Sequence, residues 1–258
     1  MHNTGLGDHI LMSGAVRHLL SYYDIVRLVV FKRKVSNVKY LFRDEPRIQI
    51  WEEPDALTGK HAQRKAKTLR RNHAKEGWET RLFFYSIMKD WPYLMERAGL
   101  DKQKDNWHQL FYQTLDVDFH HRYESFYIER NHEREDEIYK KVIQEHGKDY
   151  SFVCKKTNKG FRDLTFSDKE DQLPKIIPDH FKEQTLLFDW MKVIEKAKII
   201  HTIDTSWMHL IKSMRLKPEN RIKVFHRYVR DVPANNGDYI NDKWDNGWID
   251  LKKRIQQL

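Results

Sequence analysis

Three short apolar runs set the tightest limit on how this chain can fold. IVRLVVF (25–31), YSFVC (150–154) and KIIHTI (198–203) are rich in β-branched and aliphatic residues and carry no helical period. Strands of this kind are buried on both faces, the condition of a parallel sheet covered by helices. RIKVF (221–225) closes the set, and RIQIW (47–51) reads the same way more weakly.

Between the runs the period changes to that of helices. Ile10, Leu11, Ala15, Val16, Leu19 and Leu20 predict a helix from near Asp8 to about Tyr22. ESFYIER (124–130) reads as a strand. The helix that follows it carries Ile138, Tyr139, Val142 and Ile143 on one face and stops at Gly147. With YSFVC this makes a βαβ unit, whose strands are parallel. Leu187, Trp190, Met191 and Ile194 mark a further helix, as do Trp207, Leu210, Ile211 and Met214.

Other stretches are less regular. Residues 54–75 read as a loop or a solvated surface helix, and 79–100 as a helix broken near Pro92 and ended at Gly99. The region 155–184 is polar, with Gly and Pro punctuation. Turn chemistry and a final helix are expected over 237–258, where Trp244 and Trp248 are candidate packing residues. Two α/β domains follow, 1–122 and 123–258, with the seam at 117–124.

Composition narrows the classes. A chain of 258 residues with 40% hydrophobic content can bury a real core. Its one cysteine, Cys154, forbids an internal disulfide and reads as a buried strand residue. No stretch reaches the roughly 20 apolar residues of a membrane span, and the N-terminus lacks a signal-peptide pattern. A soluble, cytoplasmic protein is the expectation. The formal charge of +9 predicts affinity for anions, and KHAQRKAKTLRRNHAK (60–75) concentrates seven Lys or Arg with no acid.

Two stretches carry chemistry. In HNTGLGDHIL (2–11), Gly5 and Gly7 permit close backbone approach to a ligand at a helix N-terminus, with Asp8 and His9 directly behind. Asp8 is either a helix cap or a functional carboxylate. In IIHTIDTSWMHLIKSM (199–214) a strand ends, Asp204, Thr205 and Ser206 form a turn, and a helix starts near Trp207. Hydroxyls and backbone N–H groups thus gather at a helix N-terminus, a phosphate-binding arrangement, and His209 lies one turn in.

Taken together, the Gly-x-Gly-Asp turn and the late Asp-Thr-Ser-x-x-His-Leu motif resemble the GT-B glycosyltransferases of the heptosyltransferase-like group. The likeness covers some twenty residues at each end of the chain. It implies an α/β, GT-B-like fold of two Rossmann-like domains with parallel sheets facing across a cleft. It also implies transfer of a sugar from a nucleotide-diphosphate sugar to a hydroxyl on a glycan or other acceptor, inverting and without metal. By that resemblance Asp8 is the general base, the loop of Gly5, Gly7 and His9 faces the acceptor, and Thr205, Ser206 and His209 hold the donor phosphates. Asp204 shapes the loop, and a basic residue after the first strand of the second domain is supplied by Lys155 or Lys156. The family has Gly where this chain has Ser206. The nucleotide sugar is a co-substrate, and no cofactor is expected.

Two other readings remain. Asp116-Val117-Asp118 in LDVDFHH matches the Asp-x-Asp of metal-dependent transferases, whose oxygen ligands suit Mg²⁺ or Mn²⁺. The basic run, with Trp78 beyond it, would serve a nucleic-acid-binding protein. Neither a zinc pattern nor His-Glu-x-x-His spacing is present, so no metal site is expected from the histidines.

Overall fold

In the computed structural model, residues 5–53, 75, 77, 107–157, 160, 161, 164, 166, 172–180, 185–217, 222–226 and 248–250 are described. The basic run at 60–75, apart from Lys75, the broken helix expected at 79–100 and Trp244 lie outside them. The chain divides into two compact units, Met1–Ile128 with Asn235–Gly237, and Glu129–Ala234 with Asp238–Leu258.

The first unit opens with α1 (Leu6–Leu19) and continues through β1 (Val26–Phe31), α2 (Val35–Leu41) and β2 (Ile48–Glu53). β1 and β2 pair in parallel, Val26 opposite Ile48 and Phe31 opposite Glu53, so α2 is the crossover that a parallel pair requires. Arg17 of α1 binds both carboxylate oxygens of Asp44, at 2.7 and 2.8 Å, and the Leu41 carbonyl at 3.0 Å. This bidentate contact fixes α1 to the end of α2.

Later in the unit come α3 (Trp107–Gln113) and the single-turn α4 (His121–Glu124). Leu11, Met12 and Ala15 of α1 pack with Leu110, Phe111 and Tyr112 of α3 and with Leu115 and Val117 beyond it. The Tyr112 hydroxyl donates to the Leu11 carbonyl at 2.7 Å. Where α1 meets α4 the two backbones touch. A Cβ on Gly14 would lie 1.9 Å from the His121 carbonyl oxygen, so only glycine fits.

The second unit begins with α5 (His132–His146). Asn131 caps it by accepting from the Arg134 N–H at 3.1 Å, and Gly147 ends it at a φ of 80°. Then come β3 (Ser151–Cys154), the small hairpin of β4 (Lys156–Thr157) and β5 (Gly160–Phe161), and β6 (Lys175–Ile176). After a short tight-helical turn, α6 (Met191–Lys196), β7 (Ile199–Thr202), α7 (Ser206–Ser213), β8 (Ile222–Phe225) and β9 (Trp248–Asp250) follow. β3 and β7 are buried throughout, as uninterrupted apolar runs demand.

The five-stranded sheet of this unit has the order β6-β3-β7-β8-β9, every neighbouring pair parallel. In chain order that is second-first-third-fourth-fifth, a doubly wound arrangement. Both units are therefore α/β with parallel strands. Among the described residues no helix is long and apolar enough to cross a membrane.

One expectation needs correction. ESFYIER forms no strand: residues 125–131 join no ladder, so α5 and β3 stand without the leading strand of the expected βαβ unit. Burial alternates along the run, with Phe126 and Arg130 half-buried, Ile128 buried and Tyr127 and Glu129 exposed, yet the run gains no ladder partner among the described residues. Arg130 is instead held by its side chain, which binds Glu135 and Glu195. Within the polar region 155–184, Ile176 is fully buried in β6 and extends the sheet. At the C-terminus, Trp248-Ile249-Asp250 pair with Lys223-Val224-Phe225 as an edge strand, and the final helix expected within 237–258 otherwise lies outside the described residues.

Candidate functional site

The strand order of the second unit singles out one place. From β3 the chain crosses to β6 on one side and then returns to β7 on the other. In open α/β sheets such a reversal leaves a crevice outside the carboxyl ends of the two central strands, where ligands bind. Cys154 is opposite Thr202 in the ladder, so Lys155 and Ile203 leave the sheet side by side, on strands about 4.8 Å apart.

After Ile203 the chain turns through Asp204 and Thr205 into α7. Thr205 is the N-cap residue, with φ −150° and ψ 177°, yet its hydroxyl makes no cap bond and donates back to the Ile203 carbonyl at 3.3 Å. The first N–H groups of α7 thus gain no partner from that side chain, and they carry the positive end of the helix dipole. Thr205 and Ser206 are half-buried and Asp204 is exposed. His209 is only 4% exposed, with Nε2 3.9 Å from Asp204 Oδ1. The bulky Trp207, next to Ser206, packs edge-on to Phe152 of β3 at 5.5 Å and so covers the sheet.

The two adjacent lysines both approach the Phe161 ring, the Lys156 ammonium lying 5.6 Å from its centre. Lys156 points its ammonium at Asp179, 2.8 Å away. Lys155, first after β3, lies 5.9 Å from the centre of the Phe161 ring. Cys154 is buried, and burial, helped by the Asp179 charge, pushes its thiol pKa well up. It therefore stays protonated and serves as a core side chain.

In the first unit, Gly5 is the N-cap of α1 and its N–H donates to Asp8 Oδ2 at 2.5 Å. Asp8 thus holds the first turn closed as a capping carboxylate, half-buried at the N-terminus of the helix. Gly5 has φ −66°, and a Cβ there would make only an ordinary 3.6 Å contact with Asp8. Gly7 is buried. His9 points inward and is 8% exposed; burial, then the Lys34 charge, lowers its pKa to about 4. It is a neutral core imidazole at physiological pH.

Asp116 and Asp118 lie on the turn between α3 and α4. Asp116 adopts φ 54°. Asp118 Oδ1 accepts from the His120 N–H at 2.9 Å and lies 2.6 Å from its Nδ1, contacts that lower its pKa. The Asp-x-Asp pattern is accounted for by a left-handed turn residue and a local cap. Among the described residues no group of three or more His, Cys, Asp or Glu side chains is placed to hold a metal.

Two buried polar groups escape sequence reasoning. His201 of β7 and His226 after β8 lie with Nδ1 and Nε2 3.0 Å apart, and the Phe166 ring stands edge-on to His201. Arg122 of α4 is 1% exposed, with Nη1 3.2 Å from Nδ1 of the fully buried His108. An isolated Arg or His in a mixed stretch gives no signal by period or motif. The chain matches no family model, no curated protein and no solved structure.

Proposed function

We propose that this chain is a metal-independent, inverting glycosyltransferase of GT-B type. The nucleotide diphosphate of the donor sugar sits outside β3 and β7, and Asp8 of the first unit is the base. The observation that carries the reading is the coincidence of the strand-order reversal with the Asp204-Thr205-Ser206 turn at the N-terminus of α7. Lys155 leaves the neighbouring strand at the same edge.

The chemistry requires little more. The acceptor hydroxyl gives its proton to the Asp8 carboxylate as its oxygen forms a bond to the anomeric carbon. The bond from that carbon to the diphosphate oxygen breaks, and the departing group keeps the electron pair. Backbone N–H groups of α7, the Thr205 and Ser206 hydroxyls and the Lys155 ammonium stabilise the charge that develops there. The buried His209 also faces the donor phosphates, and the exposed Asp204, 3.9 Å from its Nε2, shapes the loop.

A thermal-shift panel with UDP, GDP, ADP, CMP and a short oligonucleotide, each with and without Mn²⁺, tests the reading. Stabilisation by one nucleoside diphosphate without metal is expected, and it should disappear in Ser206→Asp. That carboxylate suits the helix N-terminus but repels phosphate, so loss of binding there does not reflect unfolding. Silence across the nucleotides with a salt-sensitive response to the oligonucleotide would overturn the proposal in favour of nucleic-acid binding. A response that depends wholly on Mn²⁺ would favour the Asp116/Asp118 alternative.

A further inference from the structure

Arg122 presents an unusual combination of burial and missing partners. Arg122 is 1% exposed, yet among the described residues Nε and Nη2 have no hydrogen-bond partner and no carboxylate pairs with the side chain. Nη1 donates to His108 Nδ1 at 3.2 Å. An accepting Nδ1 belongs to an imidazole that carries its proton on Nε2, so His108 supplies no negative charge. Aromatic rings flank the cation, Tyr123 at 5.1 Å and Phe119 at 5.7 Å from the guanidinium carbon. They attract it through their faces but accept none of its remaining N–H bonds.

The two orphaned nitrogens share one edge of the guanidinium, the side-on fork that matches the two oxygens of a carboxylate or phosphate. A buried charge without a counter-charge is strongly disfavoured, and its partner is normally part of the native state. We infer that the first unit binds a single oxyanion group, a carboxylate or a phosphate, on the Nε/Nη2 edge of Arg122. Enclosure by His108, Phe119 and Tyr123 favours one compact group over an extended polyanion. The inference stands on the first unit alone and uses nothing of the nucleotide reading of the second.

The test titrates the full chain with inorganic phosphate and, separately, with acetate, against sodium chloride at equal ionic strength. Binding is followed by thermal shift and by the side-chain Nε–H resonance of Arg122 in the nitrogen-labelled protein. A saturable shift of that resonance with one or both anions is expected, and the anion that moves it identifies phosphate or carboxylate as the ligand group. In Arg122→Met, close in shape but uncharged, affinity should fall by roughly tenfold to a hundredfold, the loss of a charge-assisted hydrogen-bonding partner. An unmoved Arg122 resonance in the unaltered protein overturns the inference, whether or not the variant folds. Equal phosphate and acetate affinity in Arg122→Met overturns it as well, by placing the anions elsewhere.

Discussion

Replacing Gly14 with alanine sets two effects of opposite sign against each other. Gly14 lies inside α1, where alanine is favoured over glycine by about 1 kcal/mol because it restricts the unfolded backbone. The added Cβ, however, would fall 1.9 Å from the carbonyl oxygen of His121 and 2.8 Å from its carbonyl carbon. Both are backbone atoms, so no rotamer change relieves the overlap. Carbon–oxygen contacts settle near 3.3 Å, so α1 and α4 must part by about 1.4 Å at this point.

That movement loosens the packing of Leu11, Met12 and Ala15 on Leu110, Phe111 and Tyr112 and strains the Tyr112–Leu11 hydrogen bond. Overpacking of a core costs roughly 1–3 kcal/mol, and a backbone collision belongs at the upper end. The strain outweighs the propensity gain, leaving a net loss of about 2 kcal/mol. Urea unfolding followed by circular dichroism should show a lower midpoint with an unchanged m value. A Gly14→Ala protein as stable as the parent, or more so, would refute the contact and with it the docking of α4 on α1.

Other perturbations separate roles that the structure places on single residues. Arg130→Met removes the partner of Glu135, whose side chain is fully buried; the uncompensated carboxylate should cost about 3–5 kcal/mol in urea unfolding, and a loss below 1 would refute the pairing. For His9, the folded pKa of about 4 lies below the 6.5 of an ordinary histidine. The unfolded chain therefore takes up this proton first as pH falls. Its contribution is complete above pH 6.5 and is lost between 6.5 and about 4, by up to roughly 3 kcal/mol; His9→Gln should flatten that part of the stability profile. Asp8→Asn keeps an oxygen able to accept the Gly5 N–H but cannot take a proton. Turnover should fall by roughly 10²–10⁴-fold if Asp8 is the base, whereas near-normal turnover with intact stability would leave it a cap. Lys155→Ala should weaken binding of the nucleoside diphosphate that stabilises the chain, while Lys156→Ala, which removes the Asp179 ion pair and a contact with the Phe161 ring, should leave it unchanged.

How much of this was legible in the sequence depends on where the information resides. β3 and β7 were readable because burial on both faces writes itself into contiguous apolar residues, and β1 and β8, less evenly buried, because of their β-branched content. β6 is only Lys175–Ile176, and its place comes from its register against Ser151 and Phe152. So short a strand has no period of its own to detect. The strand expected at 124–130 failed for the converse reason, since its β-branched and aromatic content and its alternating burial met no strand to pair with among the described residues. β9 draws its partners from β8 and forms at the sheet edge despite a surrounding sequence rich in turn residues.

The same division applies to the chemistry. The turn after β7 announces itself locally, because a strand, three polar residues and a helix must be consecutive to put N–H groups at the end of a strand. Its importance emerges only from the sheet order, which places the reversal between β3 and β7. Arg122 shows the opposite case. His108, Phe119 and Tyr123 lie close to it in sequence, yet nothing in RYES or WHQL marks the arginine as buried. A charge becomes a candidate site when tertiary packing removes water from it and supplies neither a counter-charge nor acceptors for all of its N–H groups. That condition concerns what the fold fails to bring, so a motif search, which can register only residues that are present, has no means of finding it.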